Sequence, residues 1–239
     1  MEFRSPEFKG RAVHALQDAE LQQALGKAKG GFVGNRARQV EAMPEFEALR
    51  DTARDIKDHV LDHLDHYLEK YEAAVTAAGG QVHWAADAQE ARRIILEICR
   101  KAQAKRITKG KSMVSEEIGL NEALIDDGYE VVETDLGEYI IQLAEEPPSH
   151  IIAPAVHKTK RQVSDLFEQH HHLPRKETVS ELVGEARQML REKYFTAEVG
   201  ITGGNFLVAE TGSSVIVTNE GNGDLTQTLA RVHIVTSGI

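Results

Sequence analysis

Four stretches carry residues able to do chemistry. The first is 200–222, GITGGNFLVAETGSSVIVTNEGN, where amides and carboxylates bracket two short apolar runs, 206–209 and 215–217. Both runs are rich in β-favouring residues, and the Glu-Thr-Gly-Ser-Ser between them reads as a hairpin turn with Gly212 supplying a positive φ. Antiparallel pairing leaves Glu210 at the turn and gathers Asn205, Asn219, Glu220 and Asn222 at the open end. Asn205, Glu210, Asn219 and Asn222 are candidate ligand contacts, and Glu220 is a candidate catalytic carboxylate. Glycine and asparagine equally punctuate turns that bind nothing.

The second stretch is Thr108-Lys109-Gly110-Lys111-Ser112, a strand end feeding a loop toward a helix start. Lys109, Lys111 and Ser112 together suit a phosphate or carboxylate; the alternative is two solvated lysines. The spacing is not that of a P-loop. The third is Thr134-Asp135-Leu136-Gly137-Glu138, with Gln142 one turn on; here Glu138 serves as base or nucleophile if burial raises its pKa. The fourth places His157 past the end of a strand at 150–153. No Ser-His-Asp or GxGxxG pattern occurs. His59, His63 and His66 alternate with Asp58, Asp62 and Asp65, but without HExxH or a third ligand they read as a solvated flank, and the run 170–172 reads as a helix end whose histidines suit the dipole. No metal site is expected.

The elements that must position these residues follow from periodicity. Residues 1–78 read as a helical extension: a helix over 18–27 that stops at Gly30-Gly31, a short basic helix through Arg36 and Arg38, then one long amphipathic helix from Pro44 to Gly79-Gly80. From 79 to 239 strands and helices alternate. Strands are expected at 81–85, 105–108, 129–133 and 150–153, with a final one inside 231–239. Helices are expected after Asp87, from Ser115 to Gly128, over 136–143, through Phe167, and from a capping box at Thr178 and Glu181. This is an α/β protein with a mostly parallel sheet, a late β-hairpin and an N-terminal helical extension.

The 239 residues carry 28 basic and 38 acidic groups, a net charge of −10, which disfavours nonspecific binding to nucleic acid or acidic membranes. No apolar run reaches membrane-spanning length, and the start has no hydrophobic signal core. A cytoplasmic protein is expected. Cys99, the single cysteine, reads as a small buried apolar residue, and one cysteine cannot hold an iron–sulfur cluster. The strand-like end points to a longer parent.

With these residues assembled, the chain resembles the LUD-domain family, and within it the front part of the iron–sulfur subunits of lactate-utilization systems. The resemblance rests on EFEALRDTARDIKDHVLDHL, TKGKSMVSEEIGLNEAL, ETDLGEYIIQLAEEPPSHIIAPAVHKTK and GITGGNFLVAETGSSVIVTNEGNGDLTQTLARVHIV. It implies a fold of the NagB/RpiA/CoA-transferase group and a part in oxidation of L-lactate to pyruvate. It also implies LutA- and LutC-like partner subunits and a small carboxylate or phosphorylated ligand. Relatives of this kind continue into cysteine-rich segments holding 4Fe-4S clusters, which this chain lacks, so no cofactor is expected in it and it should not transfer electrons alone. A non-catalytic docking or small-anion or nucleotide-binding module is the alternative.

Overall fold

The computed structural model describes residues 5–149, 153–218 and 220–239. Helices α1 (Phe8–Gln17), α2 (Ala19–Glu41), α3 (Phe46–Asp62) and α4 (Leu64–Ala77) come first, and none of them buries a residue. The expected stop at Gly30-Gly31 does not occur, since α2 runs through both. Each glycine costs about 1 kcal/mol in a helix, and the Ala, Gln, Lys and Arg around the pair are helix formers that offset it. The expected single helix over 44–78 is broken instead at His63. Its ring nitrogen Nδ1 lies 2.9 Å from the His59 carbonyl, while its backbone N–H turns to Val60 at 3.2 Å. A side chain inserted into the i→i−4 ladder bends a helix.

The strand expected at 81–85 is absent. The segment is irregular, with Trp84 exposed and its indole N–H donating to Glu72 at 3.1 Å. Alternation of side chains makes no strand without a neighbouring edge to pair with. After it come α5 (Ala88–Lys101), β1 (Arg106–Lys109), α6 (Met113–Glu117), α7 (Leu120–Asp126), β2 (Glu130–Glu133) and α8 (Leu136–Ala144). The single helix expected from Ser115 to Gly128 is thus divided, at Gly119, whose φ of 62° starts α7 anew. Of the strand expected at 150–153, His150 to Ile152 lie outside the described residues, and Ala153 is not in a strand. Then follow α9 (Lys160–His171), α10 (Val179–Thr196) and β3 (Val199–Gly203). The hairpin β4 (Phe206–Val208) and β5 (Ser213–Val215), α11 (Asn222–Leu229) and β6 (Val232–Thr236) complete the order.

The main sheet is parallel throughout, in the order β2-β1-β3-β6. Strands β1, β2 and β3 are buried on both sides, as helices on both faces require. On one face Ile107, Val131, Val199 and Ile201 pack with Ile95 and Cys99 of α5 and Leu120 and Leu124 of α7. On the other, Val132 meets Tyr139, Ile140, Phe167, Leu182, Ala186, Leu190 and Tyr194 from α8, α9 and α10. The chain moves outward from β1 to β2, then returns across β1 to β3. That reversal opens a crevice at the carboxyl ends of the strands, where ligands of open α/β sheets gather.

The edge of β2 is closed by a side chain. Gln142 of α8 accepts from the Glu133 backbone N–H at 3.1 Å and donates to the Val131 carbonyl at 2.8 Å, as a further strand would. Helix α11 was not legible from periodicity, and Gly200 shows why it fits. A Cβ there would stand 2.0 Å from the Thr226 carbonyl oxygen, so the helix lies directly on the backbone of β3.

The hairpin forms as expected, as a separate two-stranded sheet, but its second strand is Ser213–Val215 rather than 215–217. The turn is tighter than the sequence suggests. Gly212 has φ +70° and presses on α4, where an added Cβ would lie 2.5 Å from the Val75 nitrogen. Gly212→Ala should therefore lose about 1–2 kcal/mol from the left-handed backbone alone, plus the clash. In hydrogen exchange the hairpin amides of that variant should lose protection while β1 and β3 keep theirs; unchanged protection in the hairpin would refute the contact.

Candidate functional site

Four charged side chains converge at the carboxyl ends of β1 and β2. Lys109 is the last residue of β1, and the parallel register sets it beside Glu133, the last of β2. Both point to the α5/α7 face, because they lie two residues beyond Ile107 and Val131. Lys109 is fully buried, with Nζ 2.7 Å from Glu133 Oε1 and 2.9 Å from Glu116 Oε1 of α6. Asn121 of α7 donates from Nδ2 to Glu133 Oε1 at 2.7 Å. Glu138, in the first turn of α8, completes the group and is also buried.

The electrostatics divide the three carboxyls. Burial pulls the Lys109 ammonium down, but Glu133, Glu116 and Glu138 outweigh it and hold its pKa well above the ordinary lysine value. Glu138 moves the other way for a carboxyl. Burial and the nearby charge of Glu133, only partly countered by Lys109, push it up to about 9. It is a neutral acid at pH 7. One oxygen from each of Glu116, Glu133 and Glu138 falls within a 4.8 Å group, a set of hard donors that could face a divalent cation. The Lys109 ammonium already neutralises two of them.

Around this core the sequence candidates are distributed unevenly. Lys111, near the surface, pairs with Asp135 at 3.0 Å. Ser112 is buried and caps α6, its Oγ accepting from the Ser115 N–H at 3.2 Å and lying 2.9 Å from Thr236 Oγ1. Thr134 donates to the Lys109 carbonyl at 2.9 Å and meets Thr226 of α11 at 3.1 Å. Glu220 is exposed, yet near enough to Tyr194 that, after burial, it and Asp135 help raise that hydroxyl's pKa. Asn222 opens α11 and accepts from Thr218 Oγ1 at 3.1 Å. Asn205 closes the open end of the hairpin, accepting from the Val217 N–H at 2.8 Å. Glu210 is exposed at the turn, and Asn219 lies outside the described residues.

His157 belongs to a different cluster. Its Nδ1 is 2.7 Å from Ser149 Oγ and its Nε2 2.9 Å from Glu146 Oε2, and Lys158 pairs with Glu146 at 2.5 Å. Ser149 Oγ also donates to the Pro154 carbonyl at 3.0 Å, so the hydroxyl is engaged in closing the loop. A further buried set joins three helices, with His171 Nδ1 2.7 Å from Glu185 Oε1 and Nε2 2.8 Å from Tyr139 Oη. No sequence motif pointed to it. Of the sequence candidates, then, only Lys109 and Glu138 lie in the buried cluster. Glu133, Asn121 and Glu116 were not among those candidates. The strands expected at 105–108 and 129–133 leave Lys109 outside the first, and only the register of β1 with β2 sets it beside Glu133.

The residues present do not fit an iron–sulfur cluster. Cys99 is fully enclosed by the α5 core, and burial first, then Asp127, pushes its thiol up to about 12. None of the helices among the described residues is long and apolar enough to cross a membrane.

Comparison with known proteins gives these observations a setting. Residues 68–239 match the LUD domain, a match that begins inside α4. The chain is 42% identical to the "Uncharacterized electron transport protein YkgF" of Escherichia coli, over 98% of this chain and 49% of that protein. It is 43% identical to lactate utilization protein B of Lysinibacillus sphaericus, over 97% of this chain and 49% of the other. With the protein of the same name from Bacillus licheniformis the identity is 44%, over 100% and 50%. The chain spans about half the length of these curated relatives. No solved structure matches it.

Proposed function

This chain belongs to the LUD-domain family, and on that premise we propose that it is the LUD domain of a lactate utilization protein B-like subunit. In this reading it takes part in oxidation of L-lactate to pyruvate within a cytoplasmic multi-subunit iron–sulfur complex. Any 4Fe-4S clusters would be held by further chain of the kind its relatives have, and LutA- and LutC-like subunits would be its partners. The reading is carried by identity of 42–44% along essentially the whole chain to proteins, two of them named for lactate utilization. The chemistry of the site agrees with it. Converting a hydroxy acid to a keto acid releases protons as well as electrons, and the Lys109–Glu133–Glu138 cluster at the sheet crevice is able to handle protons. As binder of the acid's carboxylate, Lys111, which pairs with Asp135 at the partly open rim, is more accessible than the fully buried Lys109.

Exchange of domains tests this. The matching half of the Bacillus licheniformis protein, replaced by this chain in that organism, should preserve growth on L-lactate as sole carbon source. The same chimera carrying Glu138→Gln should grow at least tenfold more slowly on lactate and normally on glucose. A stably expressed chimera that cannot support growth on lactate would defeat the assignment. Equal growth of the Glu138→Gln form would defeat the role of the cluster.

One observation favours the docking alternative. The apolar residues Leu49, Ile56 and Leu61 on α3 are more than half exposed. On this reading 1–78 is the part that meets other subunits and 79–239 the part that holds the site. Chimeras lacking α1–α3 would then lose partner retention while keeping the fold of the sheet.

A further inference from the structure

Three oxygens in the buried cluster have no donor: Glu133 Oε2, Glu138 Oε2 and Asn121 Oδ1. Glu133 Oε2 and Glu138 Oε2 are both enclosed and make no hydrogen bond to any described residue. Glu133 is 3% exposed and Glu138 8%. Leaving a buried carboxylate oxygen unsatisfied costs more than a typical hydrogen bond contributes, so such atoms call for an explanation. The neighbouring donors reach other oxygens. Lys109 Nζ reaches Glu133 Oε1 and Glu116 Oε1, Asn121 Nδ2 reaches Glu133 Oε1, and Gln142 Nε2 reaches the Val131 carbonyl.

An ionised carboxylate only accepts, whereas a protonated one donates once. Two neighbouring buried carboxyls, each with a free oxygen, therefore satisfy each other when one proton lies between them, and fail to do so with none. From this geometry we infer that Glu133 and Glu138 share a single proton through their Oε2 atoms, and that this pair is the group with which the domain exchanges a proton with an oxygen of a small hydroxy- or keto-acid. The ligand class rests on the lactate reading above; the pair itself does not.

Each neighbour has a defined part. Lys109 and Asn121 both hold Glu133 Oε1, which keeps Glu133 as the accepting partner and makes them positioning residues. Glu138 is the proton carrier. Glu116, whose side chain is 29% exposed, is the member of the cluster that meets solvent. In the oxidising direction the pair first releases its proton to water and holds both carboxylates charged; the ligand O–H bond then breaks as the Glu138 O–H bond forms, which restores the shared proton. No electron moves in this step.

Infrared spectroscopy of the chain in D2O reads the shared proton directly. At pH 7 the wild type should show the carbonyl stretch of a protonated carboxylic acid, and raising the pH beyond 9 should remove it. Glu138→Gln should lack the band. Glu133→Gln should lack it too, because Glu138 would then ionise as the counter-ion of Lys109. A band that survives in folded Glu133→Gln would mean that Glu138 is protonated by burial alone and would overturn the shared proton, as would a wild type with no band at pH 7. Saturating L-lactate or pyruvate should shift the band. A band present but unmoved by either would refute the ligand part. Loss of the band on adding Mn2+, with release of a proton, would show that the three carboxylates take a cation instead.

Discussion

Replacing Lys109 by methionine is expected to cost the fold about 3–5 kcal/mol, the usual loss when one member of a buried ion pair is removed and the other remains. The ammonium is fully enclosed, and Glu133, the nearer of its two partners, is almost so. Without it Glu133 is left as a buried carboxylate with no counter-charge of its own. A domain has about 5–15 kcal/mol of stability in all, so Lys109→Met should stand close to unfolding. Urea denaturation followed by circular dichroism measures this. Adding Glu133→Gln to Lys109→Met should recover part of the loss, because the stranded charge is gone. A Lys109→Met midpoint equal to that of the wild type would mean that the cluster is not what holds β1 to β2 at this end.

The second large effect is a reversal with pH. In the native state Glu138 is pushed from an ordinary 4.5 up to about 9, first by burial and then by Glu133. Between those values the folded chain keeps a proton that the unfolded chain has released. The native state binds more protons, so stability falls as pH rises through this window, by about 1.4 kcal/mol per unit for one proton. Glutamine has the same shape, does not titrate, and can donate to Glu133 Oε2. Glu138→Gln should therefore match the wild type near pH 4.5 and become progressively more stable than it toward pH 8. Glu130, Glu146 and Glu198, all held below the ordinary carboxylate range, affect both proteins alike and cancel in the difference. Parallel stability curves for the two proteins over this range would remove Glu138 from the role given to it. The same substitution is expected to weaken growth on lactate, and a variant that gains stability while losing function is the pattern of a strained working site.

How far the sequence reveals this depends on whether the information is local. The α/β alternation, the capping box at Thr178 and the turn at Gly212 are set by neighbours within four residues. So they can be read from spacing. The buried cluster depends on register between β1 and β2, 24 residues apart, and a lysine next to a glycine reads as a loop residue until its strand partner is known. The sequence places Lys109 just past a strand and Glu138 early in a helix after the next one, but nothing local tells that Lys109 is the enclosed last residue of β1 while Lys111, two positions on, stays partly open. The irregular segment 81–85 shows the opposite failure. Its residue types suit a strand, and the sheet offers it no edge.

The amide of Gln142 has a consequence for self-association. By taking up the outward N–H and carbonyl of β2, it stops the sheet at that side, while β6 at the other side pairs only with β3 among the described residues. Two molecules that met along β6 would form one continuous sheet with a stoppered border at each end. Such pairing terminates after a single step, giving a finite dimer where a sheet open on both sides would propagate into a filament.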